Sequence, residues 1–106
     1  MVVLMLGEFE YLLISVAARL GENAYGAAIR EEIEAMDRTC SIGALYTTID
    51  RLEKKGFLRT WMGDPSPQRG GRAKRMVRVT KLGEVAAEEF YNSVMRTSRG
   101  VSWAVK

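Results

Sequence analysis

The sequence has no histidine and a single cysteine, Cys40. Without imidazoles or paired thiols, none of the usual tetrahedral zinc spacings can be assembled, and no imidazole base is available for catalysis. One cysteine excludes a disulfide framework within the chain and fits a reducing, cytoplasmic setting. No apolar run approaches the length of a membrane span, so no membrane partner is expected. Met1 to Leu6 is apolar but lacks a basic leading region and a small-residue cleavage site, which argues against a secretory leader. Gly70-Gly71 lacks the strand-loop-helix setting of a nucleotide cradle. The carboxylates Glu31, Glu32 and Glu34 read as a solvated helix face. These absences leave no catalytic residue, no cofactor and no metal to nominate, and no enzyme is expected.

What remains is a chain of 106 residues. That is one domain's worth, with a core modest enough that an oligomer interface would help complete it. The net charge of +3 conceals a division. Met1 to Cys40 holds three basic and seven acidic residues, and Ser41 to Lys106 holds thirteen and six. Between Arg51 and Lys81 there are ten basic residues and two acidic ones. A basic region confined to one segment is the electrostatic footprint of a nucleic-acid binder. A cationic surface kept for solubility would explain the sign but not the confinement.

Ser41 to Gly56 reads as a helix with both ends marked. Ser41 is the expected N-cap and Gly56 the left-handed residue past the end, with Lys54 and Lys55 at the negative pole of the dipole. Ile42, Leu45, Ile49 and Leu52 make one apolar stripe. The opposite face carries Gly43, Ala44, Thr47, Arg51 and Lys54. Two readings of that face stand: an ordinary solvated surface, or small residues, hydroxyls and cations suited to a DNA groove. Ahead of it, Gly7 to Leu20 is predicted helical, with Leu6, Phe9, Leu13, Val16 and Leu20 in the core and Leu12 and Ala17 widening the stripe. Tyr25 to about Met36 is a second helix, with Tyr25, Ile29, Ile33 and Met36 on its inner face. The acids of this helix keep its length off phosphates, but its N-terminal end, around Asn23 to Gly26, can approach a backbone. Together these elements form a helix-turn-helix pattern.

After Gly56 the period changes. Phe57 to Met62 and Lys74 to Thr80 are β-prone, and the turn-rich stretch from Gly63 to Arg72 joins them. Arg69, Arg72, Lys74 and Arg75 gather at this hairpin's tip. They read either as a solvated loop or as a wing laid along phosphates or in a minor groove. Thr80 is placed to cap a last helix from Lys81 to about Arg99. Leu82, Ala86, Phe90 and Val94 form a row on it, with Val85 and Tyr91 alongside. A helix this long on a small domain leaves apolar surface for a second subunit.

At this point the sequence resembles the PadR-like transcriptional regulators. The matching runs are Leu-Gly-Glu-Phe-Glu-Tyr-Leu (Leu6 to Leu12), Ala-Tyr-Gly (Ala24 to Gly26), Gly-Ala-Leu-Tyr-Thr-Thr-Ile-Asp-Arg-Leu-Glu-Lys-Lys-Gly (Gly43 to Gly56), Arg-Gly-Gly-Arg (Arg69 to Arg72) and Thr-Lys-Leu-Gly (Thr80 to Gly83). The resemblance implies an α+β, mostly helical fold: a winged helix-turn-helix over residues 1–80, then a C-terminal dimerisation helix and tail over 81–106, as in the short subfamily. It implies a homodimeric repressor of double-stranded DNA with a palindromic operator, half-sites resembling ATGT and ACAT, and release by a small-molecule effector of unknown identity. Some short members stack flat drugs on a tryptophan of the dimerisation helix. Val94 falls at about that position here, which argues against such sensing, and Trp103 lies well past it.

The expected DNA-facing residues are Tyr25, Ser41, Gly43, Ala44, Tyr46, Thr47, Thr48, Arg51 and Lys54, with Lys55 on phosphate and Arg69, Arg72, Lys74 and Arg75 in the wing. The expected dimerisation residues are Leu82, Val85, Ala86, Phe90 and Val94. The alternative is a winged-helix module for protein interaction that does not bind DNA, which the wing arginines argue against. Cys40, just before the Ser41 helix, reads either as a thiol sensitised by the helix dipole or as a small buried hydrophobe.

Overall fold

A computed structural model describes residues 6–65 and 73–104. Three helices come first: α1 (Glu8–Leu20), α2 (Gly26–Ala35) and α3 (Ile42–Lys54), with a single 3-10 turn at Gly21–Asn23. The antiparallel pair β1 (Leu58–Pro65) and β2 (Ala73–Val79) follows, then α4 (Lys81–Ser98) and a short 3-10 turn at Ser102–Ala104. In the pair, Leu58 faces Val79 and Met62 faces Arg75, and the register slips between Met62 and Pro65.

Local chemistry accounts for the ends of α3. The Ser41 hydroxyl accepts from the Ala44 N–H at 3.0 Å, satisfying one donor left over by the first turn. At the other end Gly56 adopts φ 84°, and the Phe57 N–H reaches back to the Leu52 carbonyl at 2.9 Å. Reversing the chain there needs the left-handed region, which glycine enters without penalty. Phe57 itself is buried, so the turn is locked by packing as well.

The core gathers Leu13, Ile14, Val16, Ile29, Ile33, Leu45, Ile49, Leu52, Leu58 and Val77 between the helices and the inner face of the sheet. Full burial of each such aliphatic side chain contributes about 1.5–3 kcal/mol. The wing is fastened to the segment just ahead of α2, where the Val77 N–H donates to the Ala24 carbonyl at 3.0 Å.

Several expectations shift. Ile42 is 59% exposed, although the stripe placed it inward. Met36 caps α2 and is exposed, not part of its buried face. The hairpin strands reach Pro65 and begin at Ala73, further toward the tip than the β-prone runs indicated. Cys40 is buried, and desolvation pushes its thiol pKa up despite the nearby Arg30 guanidinium. That removes the basis for a sensitised thiolate.

Glu10 was not singled out by periodicity, yet it is 8% exposed within α1. Its carboxylate accepts from the Gly7 N–H at 2.8 Å and from Lys55 Nζ at 3.0 Å, tying the start of α1 to the end of α3. Burial raises its pKa, but the Gly7 amide, Lys55 and Arg51 together outweigh burial and hold it below the ordinary glutamate range. The depressed folded-state value sets the sign. The stabilisation is present above the unfolded pKa near ~4.3 and is lost as pH falls through the folded value. Glu10→Gln should therefore lower stability at neutral pH by about 1 kcal/mol and flatten the acid limb of a urea-midpoint titration. Parallel acid limbs for the variant and the wild type would exclude Glu10 as a source of that pH dependence.

Candidate nucleic-acid interface

The outward face of α3 begins at Ser41 and runs through Gly43, Ala44, Thr47, Arg51 and Lys54, all exposed. A side chain built at Gly43 would meet nothing within 4 Å, so the helix backbone itself is open to close approach there. Thr47 projects a hydroxyl and a methyl from the same face. Thr48 does not: it is 6% exposed. It lies three residues after Leu45 and four before Leu52, on the packed side of the helix. Thr48 therefore lies inside the domain and not on the outward face where it was expected.

Tyr46 turns toward α2. Its hydroxyl lies against Gly26, where a Cβ would collide with the ring. Around this contact is a cleft of about 470 Å³ lined by Tyr25, Gly26, Arg30, Ile42, Tyr46, Lys74 and Arg75 among others. Three elements meet there: the start of α2, the first half of α3 and the start of β2. Among the described residues, the side chain at the N-cap position of α2 makes no capping hydrogen bond to its first turn. Lys74 Nζ sits 4.6 Å from the centre of the Tyr25 ring, a cation–π distance that holds the ammonium over the cleft. The orphan amides of a helix start and a lysine held beside them suit an anionic oxygen.

The basic residues divide by their partners. Lys55 is engaged by Glu10. Arg30 pairs with Glu34 and donates Nε–H to the Cys40 carbonyl at 2.6 Å. Arg75 pairs with Asp50 and Glu53. Arg51, Lys54 and Lys74 make no ion pair among the described residues. Arg69 and Arg72 lie outside the described residues. The sequence pattern had brought Tyr25, Tyr46 and Lys74 to the interface from separate arguments, and the cleft brings them together. It had not found Arg30 or Ile42 in that lining. It also missed that Asp50 and Glu53, three residues apart on one side of α3, aim at Arg75.

Comparison with known proteins gives this arrangement its setting. The family model described as the transcriptional regulator PadR-like family matches residues 13–89. The chain belongs to the PadR-like family. A PadR-like transcription factor from Bacteroides fragilis is similar in structure, with a TM-score of 0.72 and 21% identity, covering 92% of this chain and 89% of that one. A transcriptional regulator from Clostridium thermocellum gives 0.70 and 20%, covering 92% of each chain. A PadR family regulator from Eggerthella lenta gives 0.69 and 23%, covering 88% of this chain and 81% of its own. No curated protein matches the sequence. The chain is thus a DNA-binding transcriptional regulator with a winged-helix fold, not an enzyme. Among the described residues no helix is long and apolar enough to cross a membrane, and no group of side chains could hold a metal ion.

Proposed function

We propose that this PadR-like protein is a cytoplasmic, homodimeric repressor that binds an inverted-repeat operator and is released by a small-molecule effector. In this reading residues 1–80 engage DNA and residues 81–106 pair the subunits. The observation that carries it is the open N-terminal half of α3, where Ser41, Gly43, Ala44 and Thr47 are all exposed beside a cleft that suits phosphate. Helix-turn-helix proteins lead into the major groove with that end of the helix, and Thr47 is long enough to meet a thymine methyl or a base edge. Lys74, the start of α2, Arg51 and Lys54 then lie on backbone phosphates, with Arg69 and Arg72 serving at the wing tip. Two such helices related by a two-fold axis call for half-sites about 34–36 Å apart.

The test is selection of bound duplexes from random DNA by wild type and by Thr47→Ala. An inverted repeat is expected from wild type, and Thr47→Ala should relax one position per half-site by about 1–3 kcal/mol. An unaltered motif for the variant would remove Thr47 from base reading. Failure of wild type to recover any inverted repeat would end the symmetric-operator reading.

A further inference from the structure

The two acids Asp50 and Glu53 stand on the DNA-reading helix of a regulator, where bare carboxylates would repel phosphate. Their surroundings explain them. Arg75 Nη2 lies 2.7 Å from Asp50 Oδ1, 3.3 Å from Glu53 Oε1 and 3.4 Å from Thr60 Oγ1. The second Glu53 oxygen accepts both the Thr60 N–H, at 3.1 Å, and the Thr60 hydroxyl, at 2.8 Å. One node therefore joins α3, β1 and β2. The Arg75 side chain is only 22% exposed, and its charge is offset by two carboxylates. A two-stranded hairpin holds its own orientation poorly in water, and beyond the Val77–Ala24 bond this node ties the wing to α3. Lys74, the preceding residue, differs: its ammonium lies over Tyr25 and has no carboxylate partner among the described residues.

We infer that Arg75 is a positioning residue for operator recognition, fixing the angle between the wing and α3 through Asp50 and Glu53 and not serving as a phosphate contact. This rests on the reading that α3 and the wing both face DNA. Bases are read by α3 and phosphates by the wing, so the angle between them sets which register satisfies both. Losing it costs specific binding and leaves non-specific attraction, which depends on charge alone, in place.

The experiment measures binding of wild type, Arg75→Ala, Arg75→Lys, Glu53→Gln and Lys74→Ala across a salt series. The probes are a duplex selected by wild type from random DNA and a scrambled duplex of the same length. Arg75→Ala should weaken the selected duplex about tenfold, the scale of one lost base contact, with a salt slope close to wild type and only the small loss of scrambled binding that one missing charge off the phosphates brings. Arg75→Lys should recover some of the loss, since an ammonium still reaches one carboxylate. Glu53→Gln should also weaken the selected duplex, although removing a negative charge would by itself tighten it. Lys74→Ala should weaken both duplexes and reduce the slope by about one.

If Arg75→Ala behaves like Lys74→Ala, Arg75 is a phosphate contact and the inference fails. It fails equally if Glu53→Gln tightens both duplexes. Should Arg75→Ala prove unfolded by circular dichroism, Glu53→Gln alone decides between these outcomes. A wild type that holds neither duplex overturns the DNA-facing reading itself, an outcome distinct from any pattern among the variants.

Discussion

Gly83→Ala is expected to be among the most destabilising single substitutions in the chain, though it adds one methyl group to a helix. A Cβ at Gly83 would collide with the backbone carbonyl of Phe57 and lie 3.1 Å from Val79 Cγ1. A carbonyl of the α3–β1 joint cannot swing aside like a side-chain tip, and this one is already committed, accepting the Thr80 N–H at 3.1 Å. Thr80 makes the junction tighter still. Its hydroxyl donates to the Gly56 carbonyl at 2.6 Å and accepts from the Gly83 N–H at 3.0 Å. The methyl group would force the first turn of α4 off the end of α3, breaking these bonds together. Alanine gains up to about 1 kcal/mol in helix propensity over glycine, while overpacking against backbone costs about 3 kcal/mol or more. The net loss should lower the melting temperature by roughly 10 °C for a domain of this size. Thermal unfolding at matched protein concentration measures it, with Gly43→Ala, whose Cβ would meet nothing within 4 Å, as the control that isolates propensity. A Gly83→Ala protein as stable as wild type would show that α4 can shift without cost.

What was legible in the sequence follows from how far each signal reaches along the chain. The N-cap Ser41, the reversal at Gly56 and the buried row Leu45, Ile49 and Leu52 are settled within a few residues, and each is found as expected. Ile42 belongs to the same stripe by spacing but lies in the first turn, lining the open cleft, and no described element covers it. Thr48 reads as polar and outward, but Leu45 and Leu52 share its side of the helix, and tertiary packing closes over it. Glu10 and Lys55 meet across 45 positions of sequence. Arg75 meets Asp50 across 25. No periodicity encodes such pairs. Each pair engages a cation that the sequence assigned to phosphate. Gly83 shows the same limit in reverse. In sequence it is a mild fault in a helix, and only the approach of Phe57 gives it a reason.

Val94→Asp is expected to separate the proposed dimer and to lower operator affinity by about a hundredfold or more. The residues of the α4 row do not all face the same way. Ala86 is completely buried within its own chain, and Phe90 stacks on Tyr11 of α1 with ring centres 4.6 Å apart. Those two expected dimerisation residues fasten α4 to its own domain, because the N-terminal half of the helix lies across α1. Leu82 and Val85 remain exposed, and further along every residue from Tyr91 to Thr97 is exposed. Tyr91, Val94 and Met95 there form an apolar group at steps of three and one, and Val94 is 46% exposed. Such surface on a helix projecting past its domain suits a second copy. A carboxylate inside the resulting interface would lose its hydration without a partner, costing several kcal/mol. A separated subunit holds one half-site only, and the gain from simultaneous engagement, about 10²–10⁴ in affinity, disappears. Ala86→Asp is the contrasting variant: it should unfold the subunit itself, whereas Val94→Asp should only release one folded subunit from another. Sedimentation and thermal unfolding together distinguish them, with Val94→Asp giving a folded monomer. A Val94→Asp protein that sediments as a dimer and binds an inverted repeat as wild type does would place the subunit contact on another face, the α1 side being the next to test.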